Sequence, residues 1–467
     1  MNSYALLPFN FIRISGKEIL INEIGDFLIA PCGTTQHIID HTISDDDLYK
    51  TLVANWFITE EDQIPPLLDI YASRLRTKKG FLDDKTSLHI FVLTLRCNQN
   101  CTYCQASSRE ENSWRCSMSF DDMTAAVQMM FQSPSPHLTM EFQGGEPSLE
   151  MELIRHGIET AERINQSENR GLTYVLCTNC RSLSDELLQL CKQYKVLIST
   201  SLDGPSYIHN QNRGRKDSYE KTIAGIAKAR SVLGDEVVSA LMTTSELALD
   251  YPREIVDEYV RNNFNGIFLR ALNPYGLAAR NDDWKRYNLR FIEFYKKALD
   301  YILELNKRGT FFREEYASII LRKMLTPYTT GFVDLQSPAG TINSVIVYNY
   351  DGYVYASDES RMLAEVGDYT FRLGKLTDPY DDVFCGVTAK RLGKVWANEA
   401  LAGCSYCPLR VYCGADPVRH HSTQGDIYGF RPTSMVCEKN NAIIKHLLTL
   451  IVERGDDVLP IFKSWVR

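Results

Sequence analysis

Thirteen cysteines in a chain of 467 residues require a chemical explanation, and their distribution supplies one. Cys97, Cys101 and Cys104 fall within eight residues, and Cys404, Cys407 and Cys413 within ten, with Cys437 following. An odd count rules out complete disulfide pairing, which makes metal the next candidate. Three thiolates on one short loop can close around three corners of a cubane iron-sulfur cluster, leaving one iron open to a substrate or cofactor. Zinc, or plain loop cysteines, are the alternatives at this point. The second group offers four thiolates, a full complement for a cluster with no open iron or for structural zinc. The other six, Cys32, Cys116, Cys177, Cys180, Cys191 and Cys385, are mostly isolated and suit small buried hydrophobes or inert thiols.

Composition narrows the class. The chain is 44% hydrophobic and 24% charged, ordinary globular values that exclude disorder and fibres. Lys and Arg number 51 against 59 Asp and Glu, and no basic block stands out, so no nucleic-acid partner is expected. Met1 to Arg13 lacks the charged start and apolar core of a signal peptide, and no apolar run reaches the ~18 residues of a membrane span. A cytoplasmic, soluble protein without a membrane partner is the expectation.

Three segments must position the cysteines. Residues 1–85 show short apolar runs, Phe9 to Ile12 and Phe27 to Ala30, then a helix behind Asp46 and Asp47, which fits a winged-helix-like unit closed by a linker at Arg76 to Gly80. Residues 86–310 alternate strands with amphipathic stretches: Leu88 to Leu95, Leu138 to Phe142, Thr173 to Cys177, Val196 to Leu202, Val237 to Met242 and Ile267 to Leu272. Six such units predict an α/β fold, a partial (β/α)6 barrel that binds ligands at the carboxyl ends of its strands. Residues 311–467 break the pattern with a hairpin around Asp351-Gly352, the second cysteine group, and a helical tail from about Asn440 to Ile451.

The spacing Cys97-x3-Cys101-x2-Cys104, with Tyr103 before the last cysteine, resembles the radical S-adenosylmethionine superfamily. The resemblance implies a [4Fe-4S] cluster whose open iron binds S-adenosyl-L-methionine and cleaves it to a 5'-deoxyadenosyl radical that abstracts hydrogen. Tyr103 would lie against the adenine. Gly144-Gly145-Glu146-Pro147 looks like the superfamily's GGEP motif, its glycines letting backbone approach the ligand and Glu146 meeting the methionyl ammonium. An ordinary Gly-Pro turn is the alternative. Thr178-Asn179 stands where relatives carry Thr-Asn-Gly, with Cys180 replacing the glycine. Ser201, in a Ser-Leu-Asp-Gly segment like that of peptide-modifying members, is the candidate for the ribose or carboxylate, against simple turn capping. Arg213, in a polar loop with His209, would pair with a carboxylate of cofactor or substrate, or else be solvated.

Cys404-x2-Cys407-x5-Cys413 and Cys437 are similar to the SPASM extension of peptide maturases, in which seven cysteines hold two auxiliary clusters. Ser337, Ser357 and Pro417 stand where three of those seven are expected, all belonging to the first auxiliary cluster. The expectation is two [4Fe-4S] clusters, one that binds S-adenosylmethionine and one auxiliary. Asp358 follows Ser357 at the place where sulfatase-maturing relatives carry a catalytic base, a solvated aspartate being the alternative.

The carboxyl segment through His420-His421 and Phe430-Arg431-Pro432 is most similar to the B-type maturase of the His-Xaa-Ser system. That resemblance implies a ribosomally made precursor peptide as partner, with His-Xaa-Ser repeats, held through its leader by the amino-terminal unit. It also implies a flavodoxin- or ferredoxin-type electron donor and a carbon-carbon cross-link or cyclophane at a His or aromatic residue. Oxidation of Cys or Ser to formylglycine, and a non-catalytic iron-sulfur scaffold, are the other readings.

Overall fold

A computed structural model describes residues 4–83, 85–280, 283–395 and 397–466. The first three residues of the amino-terminal segment, Asp84 at its end and Arg467 of the tail lie outside the described residues. Five parallel strands form the centre: Leu88–Thr94, His137–Gly144, Gly171–Thr178, Leu197–Ser201 and Val238–Leu241, paired in that order. His89 through Thr94 are all buried, the pattern of a strand covered on both faces. Helices Phe120–Met130, Met151–Glu168, Asp185–Gln193 and Ser218–Leu233 connect them and pack their apolar stripes outside the sheet.

The sixth expected strand is reduced. Gly266–Ile267 pairs with Arg313–Glu314 in a separate parallel ladder, and one bridge, Thr244 to Ala271, links it to the fifth strand's continuation. At the opposite edge the hairpin Val345–Tyr348 and Tyr353–Tyr355 joins the barrel, with Val345–Tyr348 parallel to Leu88–Thr94. The hairpin was legible around Asp351-Gly352; its docking onto the first barrel strand was not, because pairing across 250 residues leaves no local pattern.

The amino-terminal unit is a three-stranded antiparallel meander, Phe9–Ile14, Lys17–Asn22 and Phe27–Pro31, with helices Asp46–Ala54 and Ile64–Lys78. Asp45 caps the first of these helices, accepting the N–H of Asp47 at 2.9 Å and of Leu48 at 3.0 Å, worth about 1 kcal/mol. The linker expected at Arg76 to Gly80 is instead the end of a helix followed by a short turn. Its Lys78 ammonium is anchored on the carbonyls of Lys323 (2.7 Å) and Thr326 (2.6 Å). Ile19 and Ile21 enter the same apolar core as the barrel, and Tyr412 donates to the Gly25 carbonyl at 2.8 Å. The unit is therefore packed on the carboxyl-terminal segment rather than hung from a tether. The tail helix runs further than its periodicity suggested, Met435–Trp465, with a kink at Arg454. No helix among the described residues is long and apolar enough to cross a membrane.

Candidate active site

The first cysteine loop leaves the end of strand Leu88–Thr94 and is held from the side by helix Ser206–Arg213. Asn100 N–H donates to the Arg213 carbonyl (3.2 Å) and Thr102 N–H to that of Asn212 (2.8 Å). Each sulfur meets a donor: Gln99 N–H to Cys97 Sγ at 3.4 Å, Ser108 N–H to Cys104 Sγ at 3.4 Å, and Arg213 Nη1 to Cys101 Sγ at 3.9 Å. Burial pushes the Cys97 thiol up to about 12, with the Glu146 charge adding to it, and burial pushes Cys101 up to about 11 against the pull of Arg213. Thiolates form here only beside compensating positive charge, which an iron-sulfur cluster provides. Among the described residues no three His, Cys, Asp or Glu side chains converge on a single ion. Cubane thiolates bind three different irons, and a loop with three cysteines can supply such a set.

Glu146 is 1% exposed and ties the loop after the second strand to the end of the third. Its Oε1 accepts from Thr178 Oγ1 (2.5 Å) and Ser148 N–H (3.2 Å), its Oε2 from Asn179 N–H (2.8 Å), and burial raises its pKa. A carboxylate accepts about four hydrogen bonds, which leaves room for one ammonium. Asn179 Nδ2 reaches Asn98 Oδ1 in the cysteine loop at 2.7 Å, so one polar chain runs from Glu146 to that loop. Pro147 is buried and opens the short helical turn Pro147–Glu150.

The glycines also serve the packing of the motif. A Cβ on Gly144, where φ is +153°, would lie 2.2 Å from the Thr94 carbonyl oxygen, and one on Gly145 would lie 2.4 Å from that of Arg96. They let the motif pack on the first strand's end, where Gly145 N–H donates to Thr94 O at 2.7 Å and Glu146 N–H to Arg96 O at 2.8 Å. Cys180, in place of the expected glycine, keeps the left-handed backbone at φ +59°.

Arg213 is buried rather than solvated. It lies in helix Ser206–Arg213, not a polar loop, and its Nε and Nη2 hold both oxygens of Asp203 at 2.9 and 2.8 Å. Tyr103 donates its hydroxyl to Asp203 Oδ2 at 2.6 Å, with the Arg213 guanidinium 5.5 Å from its ring centre. His209 is buried, accepting the Asp203 N–H at 3.3 Å, and burial lowers its pKa to about 4. Ser201 ends its strand half-buried, two residues before Asp203. Asp203 and the buried Gln99, which donates to Ser218 Oγ at 2.7 Å, were missed as supports. Nothing in local spacing announces a partner ten residues away across a turn.

Asp358 opens helix Asp358–Ala364, accepts from Arg361 Nε at 2.9 Å, and lines a cavity of about 670 Å³. The cavity runs along the barrel interior and reaches Gln143, one residue before Gly144. Arg361 Nη1 also donates to the Ala106 carbonyl at 3.3 Å, two residues past Cys104.

In the second group Cys404 Sγ accepts from Arg431 Nε (2.8 Å), Cys413 Sγ from Asn440 Nδ2 (3.5 Å) and Cys437 Sγ from Asn441 Nδ2 (3.3 Å). Burial pushes Cys437 up to about 11, and the charges of Cys413, Cys404 and Cys407 push in the same direction. Ser337 bonds to Asn398 N–H and Glu399, Ser357 caps helix Asp358–Ala364, and Pro417 opens helix Pro417–Gln424.

Residues 91–259 match the Radical SAM superfamily. The chain is 27% identical over 179 residues to an uncharacterized protein of Synechocystis sp., a match covering 36% of this chain and 44% of that protein. The chain thus spans less than half the length of that relative. Among solved structures it is similar to anSMEcpe with bound AdoMet and Cp18Cys peptide, at TM-score 0.63 and 17% identity, covering 79% of this chain and 99% of that one. It is also similar to Streptococcus suis SuiB bound to the precursor peptide SuiA, at TM-score 0.52 and 12% identity, covering 93% and 100%. At these identities the likeness is one of fold. The superfamily match falls on the segment that carries the three-cysteine loop, Glu146 and Asp203.

Proposed function

We propose that the protein is a radical S-adenosylmethionine maturase that modifies a ribosomally made precursor peptide, forming a carbon-carbon cross-link or cyclophane at a His or aromatic residue. The observation that carries this reading is a cavity of about 670 Å³, lined by Asp358 and by Gln143, the chain neighbour of Gly144, and large enough for peptide side chains. Two structural neighbours, SuiB and anSMEcpe, are seen with a precursor peptide and a peptide bound.

Cys97, Cys101 and Cys104 would hold one [4Fe-4S] cluster, and Glu146, with Thr178 and Asn179 fixing its oxygens, would meet the ammonium of S-adenosylmethionine. Bound there, cluster and S-adenosylmethionine supply hydrogen-atom abstraction from the substrate. The chain's own residues orient: the Asp203–Arg213 pair and Tyr103 fix the cysteine loop. Asp358 accepts the proton released as the substrate is oxidised, its Oδ1 aligned by Arg361. Cys404, Cys407, Cys413 and Cys437 would hold one auxiliary [4Fe-4S] cluster, able to take up the electron that the substrate loses, and the cluster at Cys97, Cys101 and Cys104 would draw its electron from a flavodoxin- or ferredoxin-type donor. The amino-terminal unit, read as winged-helix-like, offers strand edges for a leader. A substrate with His-Xaa-Ser repeats, and kinship with the B-type maturase of that system, complete the proposal.

The test is anaerobic reconstitution with a co-encoded short peptide, reading deoxyadenosine and peptide mass. A peptide lighter by two hydrogens, with deoxyadenosine formed, is expected. Asp358→Asn should lower modification by about a hundredfold or more while deoxyadenosine still forms. Modification at the full rate in that variant would remove Asp358 as the base.

A further inference from the structure

The cavity wall around Asp358 carries more charge than a base requires. Glu141, Asp334, Asp358 and Glu359 line it with the cations Arg270 and Lys439, and three further acids and two further arginines also line the cavity. Asp358 has Arg361 as partner, and Glu141 accepts from Gln143 Nε2 at 2.5 Å. Among the described residues no hydrogen bond or ion pair reaches the carboxylates of Asp334 or Glu359. Burial pushes Glu359 up to about 8, and the charges of Asp334, Asp358 and Asp416 push in the same direction. These acids adjoin the replaced cluster ligands: Asp334 precedes Ser337 by three residues, Glu359 follows Ser357 by two, and Asp416 immediately precedes Pro417.

A second feature faces the same space. Phe268, Tyr316 and Phe332 line the cavity beside Asp334 as a cluster of three rings, with centroids 5.5 Å (Phe268–Phe332), 5.8 Å (Phe268–Tyr316) and 6.0 Å (Tyr316–Phe332) apart. The Lys439 ammonium already sits 5.4 Å from the Tyr316 ring centre, so this wall accommodates a cation. Unpaired carboxylates beside an aromatic wall suit a guest with an apolar stem and a positive end. A metal ion fits poorly, because no three ligand side chains converge among the described residues.

We propose that Asp334 and Glu359, with the ring wall of Phe268, Tyr316 and Phe332, form a subsite for a basic side chain of the substrate peptide, seated beside the residue that Asp358 deprotonates. The inference rests on the peptide-maturase reading and adds the chemical class of a neighbouring residue. The guest's charge replaces the proton that Glu359 otherwise retains, and its methylenes or ring cover the aromatic wall. An acidic side chain is disfavoured because seven acidic side chains line the cavity against four cations.

The test is calorimetric titration of the reconstituted full-length protein with three capped peptides that differ at one position, Lys, norleucine or Glu, and with n-butylammonium. The Lys peptide is expected to bind about tenfold tighter than the norleucine peptide, and the Glu peptide weakest. Glu359→Gln, which keeps size and shape, and Asp334→Asn should each shrink the Lys preference. Equal affinity for the Lys and norleucine peptides overturns the subsite and leaves peptide maturation standing, as does a preference that survives in both variants. Binding of n-butylammonium with no binding of any peptide supports the subsite and overturns the peptide reading. No binding by any of the four probes overturns both.

Discussion

Arg213 grips Asp203 through two parallel hydrogen bonds, at 2.9 and 2.8 Å, and the pair sits between the fourth strand's end and the three-cysteine loop. Asp203 is fully buried; burial acts to raise its pKa, and the Arg213 guanidinium overrides this and holds the carboxyl below its usual range. The pair is a positioning device: Arg213 gives its carbonyl to Asn100 N–H while its side chain faces Cys101 and the Tyr103 ring.

Breaking that pair leaves an uncompensated buried charge, so Asp203→Asn and Arg213→Met should each lower unfolding free energy by about 3 to 5 kcal/mol. Binding of S-adenosylmethionine should weaken in the same variants. Denaturant titration and equilibrium binding check both, and a wild-type denaturation midpoint in either variant contradicts the assignment.

Iron content separates the two cysteine groups. Reconstituted protein should carry about eight irons per chain, from two four-iron clusters. Replacing Cys404, Cys407, Cys413 and Cys437 with Ala should remove half. Replacing Cys97, Cys101 and Cys104 should remove the other half and abolish deoxyadenosine formation. Iron approaching twelve per chain would contradict the assignment of Ser337, Ser357 and Pro417 as lost ligands.

Gly144→Ala and Gly145→Ala place a methyl within 2.2 and 2.4 Å of backbone oxygens that cannot move without displacing the cysteine loop. Each should lower turnover by about a hundredfold, with near-normal secondary structure by circular dichroism. A Gly145→Ala enzyme as active as the parent would show that the close packing is not required.

Glu359 gives a pH signature of definite sign. Its folded pKa, about 8, lies above the ordinary 4.5, so the folded protein binds the proton more tightly than the unfolded chain does. Its contribution to stability is full below about 4.5 and is lost as pH rises through 8. Glu359→Gln should therefore melt higher than the parent at pH 8.5 and show a smaller advantage at pH 5.5. A melting-temperature difference independent of pH would remove Glu359 as the titrating group.

Much of the chemistry was legible because it is encoded locally. Cys97, Cys101 and Cys104 lie close together on one loop, Gly144 to Pro147 is one turn, and strand and helix periods repeat every few residues, so each leaves a short pattern. The support of that chemistry was not legible, because it depends on pairs that meet only when the chain folds. Asp203 meets Arg213 and Tyr103, Gln99 meets Ser218, and the strand Val345–Tyr348 closes onto Leu88–Thr94. The amino-terminal unit reads in sequence as separable, and only the anchoring of Lys78 on Lys323 and of Tyr412 on Gly25 shows that it is packed down. The carboxylates of Asp334 and Glu359, 25 positions apart, acquire meaning only from the cavity they share, since desolvation and like-charge repulsion are properties of enclosure and not of composition.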